Sequence, residues 1–299
     1  MTTVLLTGMP RSGTTLACAL LNEHPDTVAL AEPIEMALHG VRQRALAEID
    51  AFLTMTRQGL LRDGTAPSKH RGGVVPDNVV EADHAPHGHL RPSLVQHGLI
   101  HPGKALSRDF RLVVKHPALF TALARDLARR YPLYAIIRDP LAVLASWQTV
   151  DININRGALP IAEAFAPRLA ASMAIARTTL ERQVIAMDWQ LRTYLALPAG
   201  RVIRYEDMLA DPAASLAQIS GVVHAPSRPR QPYDARTRYA SVPLRPLARA
   251  LRPLLPLVRV FYPDFATTLA IAEDEGGDTI APSALPALRP AQRHGGAPA

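Results

Sequence analysis

Five short runs with apolar centres punctuate the chain: Val4–Thr7, Thr27–Ala31, Leu112–Val114, Tyr134–Ile137 and Arg201–Arg204. Such runs, apolar without alternation, read as strands covered on both faces. Between or after them, apolar residues recur at helical spacing over Thr14–Glu23, Thr121–Arg130, Leu141–Val150, Pro167–Leu195 and Glu206–Ile219. Pro167 suits the first turn of its helix, where a missing N–H costs nothing. Strands alternating with helices predict an α/β fold, a three-layer parallel sheet with helices on both faces. Two stretches fall outside the pattern. Gly59–Ser107 is rich in Gly, Pro and His with little periodicity, which predicts a long loop region. Glu273–Ala299 is Gly/Pro/Ala-rich and weakly patterned, which predicts a disordered tail. The expected organisation is one domain over 1–272 and a tail over 273–299.

Composition narrows the partners. The 299 residues are 48% hydrophobic but only 5% aromatic, so aliphatic residues and alanine must fill the core. The net charge is +7, and only three of the cations are lysines: Lys69, Lys104 and Lys115. With no Lys/Arg block and no interleaving of basic and aromatic residues, this balance fits a membrane surface or an anionic small ligand better than nucleic acid. The lone cysteine, Cys18, rules out an intrachain disulfide and sits where a helix buries its apolar face. No run reaches the length of a membrane span; Leu251–Val260 is broken by prolines and arginines. Met1–Leu6 is too short for the apolar part of a signal peptide, so the expected location is cytoplasmic. His84, His87, His89, His97 and His101 match no zinc-ligand spacing, and no metal is expected.

Open parallel sheets bind ligands outside the carboxyl ends of their strands. The residues just past the five predicted strands are a glycine loop carrying Arg11, then Glu32, Lys115–His116, Arg138 and Tyr205–Glu206. Together they predict one shared site. In the loop, Gly8 and Gly13 are spaced as in the phosphate-binding pattern G-x-x-x-x-G-K-[ST], yet Thr14 stands where that pattern has lysine. Glycines let the backbone turn N–H groups inward, the following helix adds its positive end, and Ser12, Thr14 and Thr15 add hydroxyls. A nucleoside triphosphate needs the lysine and a magnesium carboxylate. A ligand with a single 5′-phosphate and one further anionic group needs neither. Asp139, followed by Pro140, reads as the N-cap of the next helix.

PRSGTTL (Pro10–Leu16) resembles the 5′-phosphosulfate loop of sulfotransferases that use 3′-phosphoadenylyl sulfate (PAPS). YAIIRDPLAVLASW (Tyr134–Trp147) resembles that family's 3′-phosphate segment, in which an arginine after a strand and a serine eight residues later hold the phosphate; here these are Arg138 and Ser146. RYEDMLADP (Arg204–Pro212) resembles a further segment whose tyrosine, Tyr205 here, lies near the nucleotide. The resemblance spans roughly Val4–Ile219, with an echo at FYPDF (Phe261–Phe265), and implies a P-loop NTPase-like fold. The first segment is most similar to the protein-tyrosine sulfotransferase branch. That branch has a glutamate general base 21 residues after the loop arginine, which falls on Glu32. The lysine of VVKHP, Lys115, matches one that contacts the oxygen bridging phosphate and sulfate. His116 is the alternative base, adjoining Lys115 directly where small-molecule sulfotransferases place their histidine one residue further on.

The resemblance therefore implies transfer of the sulfuryl group of PAPS to a hydroxyl or amine of a small-molecule, carbohydrate or peptide acceptor. Arg11, Lys115 and the loop amides would stabilise the transferring group, and Glu32 or His116 would take the proton. Arg11, Ser12, Gly13, Thr14, Thr15, Arg138, Ser146 and Tyr205 would hold the nucleotide. One departure is Val150, which stands where the tyrosine-sulfating branch has a second arginine; the arginines of Asp234–Arg245 are candidates to replace it. Two other readings remain open: a P-loop kinase or NTPase, and a non-catalytic nucleotide-binding protein.

Overall fold

The computed structural model describes residues 2–35, 37, 40–80, 90–227 and 239–274. Strands are numbered in chain order. β1 (Thr2–Gly8), β2 (Thr27–Ala31), β5 (Arg111–Lys115), β6 (Leu133–Ile137) and β7 (Val202–Arg204) form a parallel sheet in the order β2-β5-β1-β6-β7. β3 (Ala66–His70) and β4 (Gln96–Ile100) form a separate antiparallel hairpin. β2 and β6 are buried at every position and β1 from Val4 onward, so both faces of the sheet are covered. Helix α1 (Thr14–Leu21) packs on β2 and β5, and the short helix α3 (Pro117–Ala122) packs on β1. This is the three-layer, P-loop NTPase-like α/β fold that the sequence predicts.

Register decides where the strand ends meet. Lys115 pairs with Leu6 on one side and Ala31 on the other, while Gly8 pairs with Ile136 and Ile137 with Arg204. The chain leaves β1 toward β2 and later crosses to β6, so strand order reverses at β1. A crevice at its carboxyl end follows from that topology. A hydroxyl relay steadies it from beneath: Thr7 donates to the Pro117 carbonyl at 2.8 Å, with Thr121 2.7 Å from Thr7 and Tyr194 2.9 Å from Thr121.

Gly59–Ser107 is not one long loop. Its first residues end helix α2 (Arg42–Asp63), which stops at left-handed Gly64, and the hairpin follows. The inward positions of β3 are Ala66, Ser68 and His70, too small or too polar to register as a hydrophobic alternation. The predicted helix Thr121–Arg130 starts earlier, at Pro117, and breaks at Leu123 before α4 (Ala124–Leu127). After α5 (Pro140–Trp147) and α6 (Pro160–Phe165), the predicted helix Pro167–Leu195 divides into α7 (Pro167–Ile175) and α8 (Thr179–Leu195). Thr178 caps α8 through a reciprocal box with Glu181. Glu206–Ile219 likewise divides into α9 (Tyr205–Ala210) and α10 (Pro212–Ser220), because Asp211 caps the second and Pro212 cannot continue the first. Glu273 belongs to the helix Phe265–Asp274, so helical structure runs two residues past 272. Residues 275–299, His84, His87, His89, Arg236 and Arg238 lie outside the described residues. Among the described residues, no helix is long and apolar enough to cross a membrane.

Candidate active site

The loop after β1 is built as the glycine spacing requires. Gly13 has φ 93°, and a Cβ there would stand 2.3 Å from the Tyr205 ring, so only glycine lets that ring lie over the loop. A Cβ on Gly8 would meet the Ile136 carbonyl at the same distance. The Ser12 amide closes a turn on the Met9 carbonyl at 3.1 Å, and its hydroxyl donates to the Ile136 carbonyl at 2.7 Å. Trp147 donates to the Pro10 carbonyl at 2.8 Å, fastening the loop to α5. Asp139 caps α5 as expected, accepting from the Ala142 amide at 2.9 Å; burial pushes its carboxyl up to about 6.

Glu32 stands one residue past β2, and its amide donates to the Lys115 carbonyl at 2.7 Å. Lys115 Nζ lies 2.5 Å from Glu32 Oε1 and 3.2 Å from Thr15 Oγ1. Lys69 Nζ holds the other carboxylate oxygen, Oε2, at 2.6 Å. Lys69 arrives because Ser68 fastens the hairpin to the sheet: its hydroxyl accepts from the Ala31 amide at 3.0 Å. Burial raises the proton affinity of Glu32, but Lys115 and Lys69, with His116 adding a little, outweigh it and hold the carboxyl well below its ordinary range. The Lys115 side chain is only 2% exposed, while Glu32 keeps 23%, leaving the carboxylate open to the cleft. The sequence named Lys69 among three lysines without assigning it to the site. Its signal was rarity: all three are tied down, with Lys104 donating to the His24 and Thr27 carbonyls at 2.8 and 2.7 Å.

Among the described residues, only Arg11, Asp26 and Glu32 are non-glycine residues with positive φ, at 71°, 48° and 45°. Such a backbone costs about 1–3 kcal/mol and persists where surrounding structure enforces it, often at functional sites. Asp26 has a structural explanation, since its carboxylate caps the Ser107 amide at 2.8 Å. Arg11 and Glu32 face the cleft.

His116 is buried beside this pair. Its Nε2 lies 3.2 Å from the Ile34 carbonyl, which can only accept, so the proton sits on Nε2. Nδ1 is then a buried acceptor with no partner among the described residues, and burial lowers the imidazole to about 4. Arg138 places its guanidinium over the Tyr205 ring, 5.1 Å from the centroid, and 3.4 Å from the Arg11 carbonyl. Ser146 is fully buried and accepts from Arg11 Nε at 3.4 Å, while Arg11 Nη1 reaches Asn78 at 3.0 Å. Ser146 and Ser12 therefore stand behind the cleft wall. Arg11, Gly13, Thr14, Thr15, Glu32, Lys115, His116, Arg138 and Tyr205 line a cleft of about 660 Å³, joined by Lys69. Glu206 does not line it; it accepts from the Asp139 amide at 3.0 Å and from Tyr262 at 2.9 Å, bracing the strand ends. Arg245 is exposed on the helix Leu244–Leu251, within electrostatic reach of Glu273.

A family model described as "Sulfotransferase family" matches residues 3–226, three-quarters of the chain. The chain belongs to the sulfotransferase family. No curated protein matches its sequence. Among solved structures, the chain is similar to a sulfotransferase from Alicyclobacillus acidocaldarius, at 14% identity and a TM-score of 0.38 over 85% of this chain and 95% of that one. It is also similar to a sulfotransferase domain from the curacin biosynthetic pathway, at 16% identity and 0.37 over 81% and 82%. A Mycobacterium tuberculosis sulfotransferase matches at 13% and 0.33 over 80% and 70%.

Proposed function

We propose that this sulfotransferase moves the sulfuryl group of PAPS to an acceptor hydroxyl, with Glu32 as the general base. The observation that carries this reading is the Glu32 carboxylate, bracketed by Lys115 and Lys69 in the same cleft as the glycine loop. The loop amides, the amino end of α1 and Arg11 suit a 5′-phosphate bearing a sulfuryl group. Arg138 and Tyr205 suit the rest of the nucleotide. The stretch 1–274 would act as a single catalytic domain.

In the free protein Glu32 is a weak base because two ammonium groups share its charge. A bound donor brings a competing anion to Lys115, which already touches Thr15 in the loop. As Lys115 turns to the oxygen bridging phosphate and sulfur, Glu32 Oε1 loses its partner and its basicity rises. Lys69 keeps Oε2 and fixes the carboxylate plane. The acceptor oxygen then bonds to sulfur as its proton passes to Oε1. The bond from sulfur to the bridging oxygen breaks, with its electron pair leaving on the phosphate. Lys115 and Arg11 stabilise that charge. The products are a sulfated acceptor and adenosine 3′,5′-bisphosphate.

His116 supports a second reading, in which its unpartnered Nδ1 accepts the proton. Labelled PAPS offered with a panel of hydroxyl acceptors tests the reaction, and Glu32→Gln against His116→Gln tests the base. Transfer that survives Glu32→Gln but not His116→Gln moves the assignment to His116.

A further inference from the structure

The stretch 146–151, at and beyond the end of α5, fixes two parts of the cleft at once. On one side Trp147 holds the glycine loop through the Pro10 carbonyl. On the other, the Arg91 amide donates to the Thr149 carbonyl and the Asp151 amide to the Arg91 carbonyl, both at 3.0 Å. The Arg91 side chain is buried and donates to the Thr149 hydroxyl at 2.8 Å. The residues after Arg91 in turn hold those before Val80: the Leu94 amide donates to the Val79 carbonyl at 2.8 Å, and Val80 bridges to Ser93. The loop and the segment at Asn78–Val80 are therefore referenced to one element. Asn78 is half-buried and lines the cleft.

Asn78 meets Arg11 across this frame. Its Oδ1 accepts from Arg11 Nη1 at 3.0 Å and from the Val80 amide at 3.4 Å. Two donors converge on that atom, so it is the carbonyl oxygen of the amide and not its NH2 that meets the guanidinium. A second contact, from Arg11 Nε to the Ser146 hydroxyl at 3.4 Å, holds the guanidinium at another point. A planar fork held at two of its nitrogens has its plane set. An arginine left to rotate has to be ordered when an anion binds, and that ordering weakens affinity. An aspartate at 78 would keep both contacts but add a negative charge against Arg11, in the path of an anionic donor. An asparagine orients the cation and adds none. We infer that Asn78 is a positioning residue for the donor, holding the Arg11 guanidinium ready for the 5′-phosphosulfate. This inference rests on the sulfuryl-transfer reading and adds a residue to its donor site.

The test is PAPS affinity, read by isothermal titration on the full chain, in a double-mutant cycle of Asn78→Ala and Arg11→Ala. Asn78→Ala should weaken PAPS binding roughly three- to tenfold, the effect of having to order one long side chain on binding. In the Arg11→Ala background the same change should have no effect, because Asn78 acts through Arg11. A loss of equal size in both backgrounds means that Asn78 only shapes the turn at Val80, and overturns the inference. So does an unchanged affinity in Asn78→Ala. Asn78→Asp keeps an acceptor for the Val80 amide, so its melting curve without ligand should show a folded protein, and it stands in if Asn78→Ala does not fold. It should bind PAPS more weakly than Asn78→Ala, or more weakly than wild type if Asn78→Ala does not fold. Tighter or equal binding in that comparison overturns the inference, as does a PAPS affinity unaffected by Arg11→Ala, and either result leaves sulfuryl transfer standing. If the wild type binds no PAPS, the sulfuryl-transfer reading itself fails and the inference goes with it.

Discussion

Lys115 and Glu32, 83 residues apart in sequence, meet at 2.5 Å because β2 and β5 are neighbours in register. Ala31 pairs with Lys115, so the residue that follows β2 has to pass over the lysine. Left-handed φ at Glu32 then turns the chain back across the strand ends instead of extending the sheet. A strand end, a register and one strained residue together place a carboxylate against a buried ammonium.

Glu32→Gln keeps the shape of the side chain and removes the proton acceptor. Transfer should fall by roughly 10²- to 10⁴-fold. Stabilisation by adenosine 3′,5′-bisphosphate should survive, since the proposed contacts of that ligand are with the loop and Arg138. The nucleotide-free variant should also melt several degrees lower, because Lys115 is left buried with its counter-charge removed. Turnover assays and melting curves on one preparation check both. A variant with wild-type turnover would remove Glu32 from the chemistry.

Lys69→Met should change the pH profile rather than only the rate. Burial raises the Glu32 carboxyl while Lys115 and Lys69 lower it, and the net effect is a value well below the ordinary 4.5. A lowered carboxylate contributes stability above the unfolded value and loses it as pH falls through the folded one. In the wild type that loss lies below the ordinary carboxylate range. Removing one cation raises the Glu32 value, so the acid limb of kcat/KM and the acid melting limb should both move to higher pH. Lys69→Arg should restore most of the shift. If Lys69→Met lowers the rate uniformly at every pH, Lys69 does not tune Glu32.

The sheet and its strand ends were legible because buried parallel strands are dense in aliphatic residues and their ends carry charge. The loop was legible because Gly8 and Gly13 serve backbone geometry that no other residue fits. The hairpin that delivers Lys69 was not, since Ala66, Ser68 and His70 point inward without a hydrophobic signal. What fixes Lys69 is a single hydroxyl on a sheet edge, Ser68 on the Ala31 amide, and such a contact has no periodicity. The breaks at Thr178 and Asp211 were legible in principle: T-x-x-E is a capping box, and D-P is the signal that correctly placed the start of α5 at Asp139 and Pro140. Ser146 was named from the resemblance, as a partner of Arg138 at a 3′-phosphate, and the fold buries it where its hydroxyl accepts from Arg11.

Chelation should leave transfer unchanged. The reading assigns to Lys115, Arg11 and the loop amides the charge neutralisation that Mg²⁺ provides in phosphoryl transfer. Assays with EDTA, with and without added Mg²⁺, decide it. Activity lost to the chelator and recovered with magnesium would revive the P-loop kinase reading.

The 3′-phosphate separates sulfuryl transfer from both other readings. Arg138 closes β6 with its guanidinium over Tyr205 and its Nη1 3.5 Å from the Tyr239 hydroxyl, so it is held at the cleft rather than swinging in solvent. A charged hydrogen bond to phosphate contributes about 1.5–3 kcal/mol, a tenfold or greater effect on affinity. Adenosine 3′,5′-bisphosphate should therefore raise the melting temperature more than AMP or ADP at equal concentration. Arg138→Ala should abolish that preference while changing the AMP response little. The Tyr205 ring will lose its cationic neighbour in this variant, so AMP stabilisation serves as the control for loop integrity. Equal stabilisation of the wild type by AMP and the bisphosphate would show that Arg138 holds no 3′-phosphate. Stronger stabilisation by Mg²⁺-ATP than by either would point instead to a triphosphate in the loop.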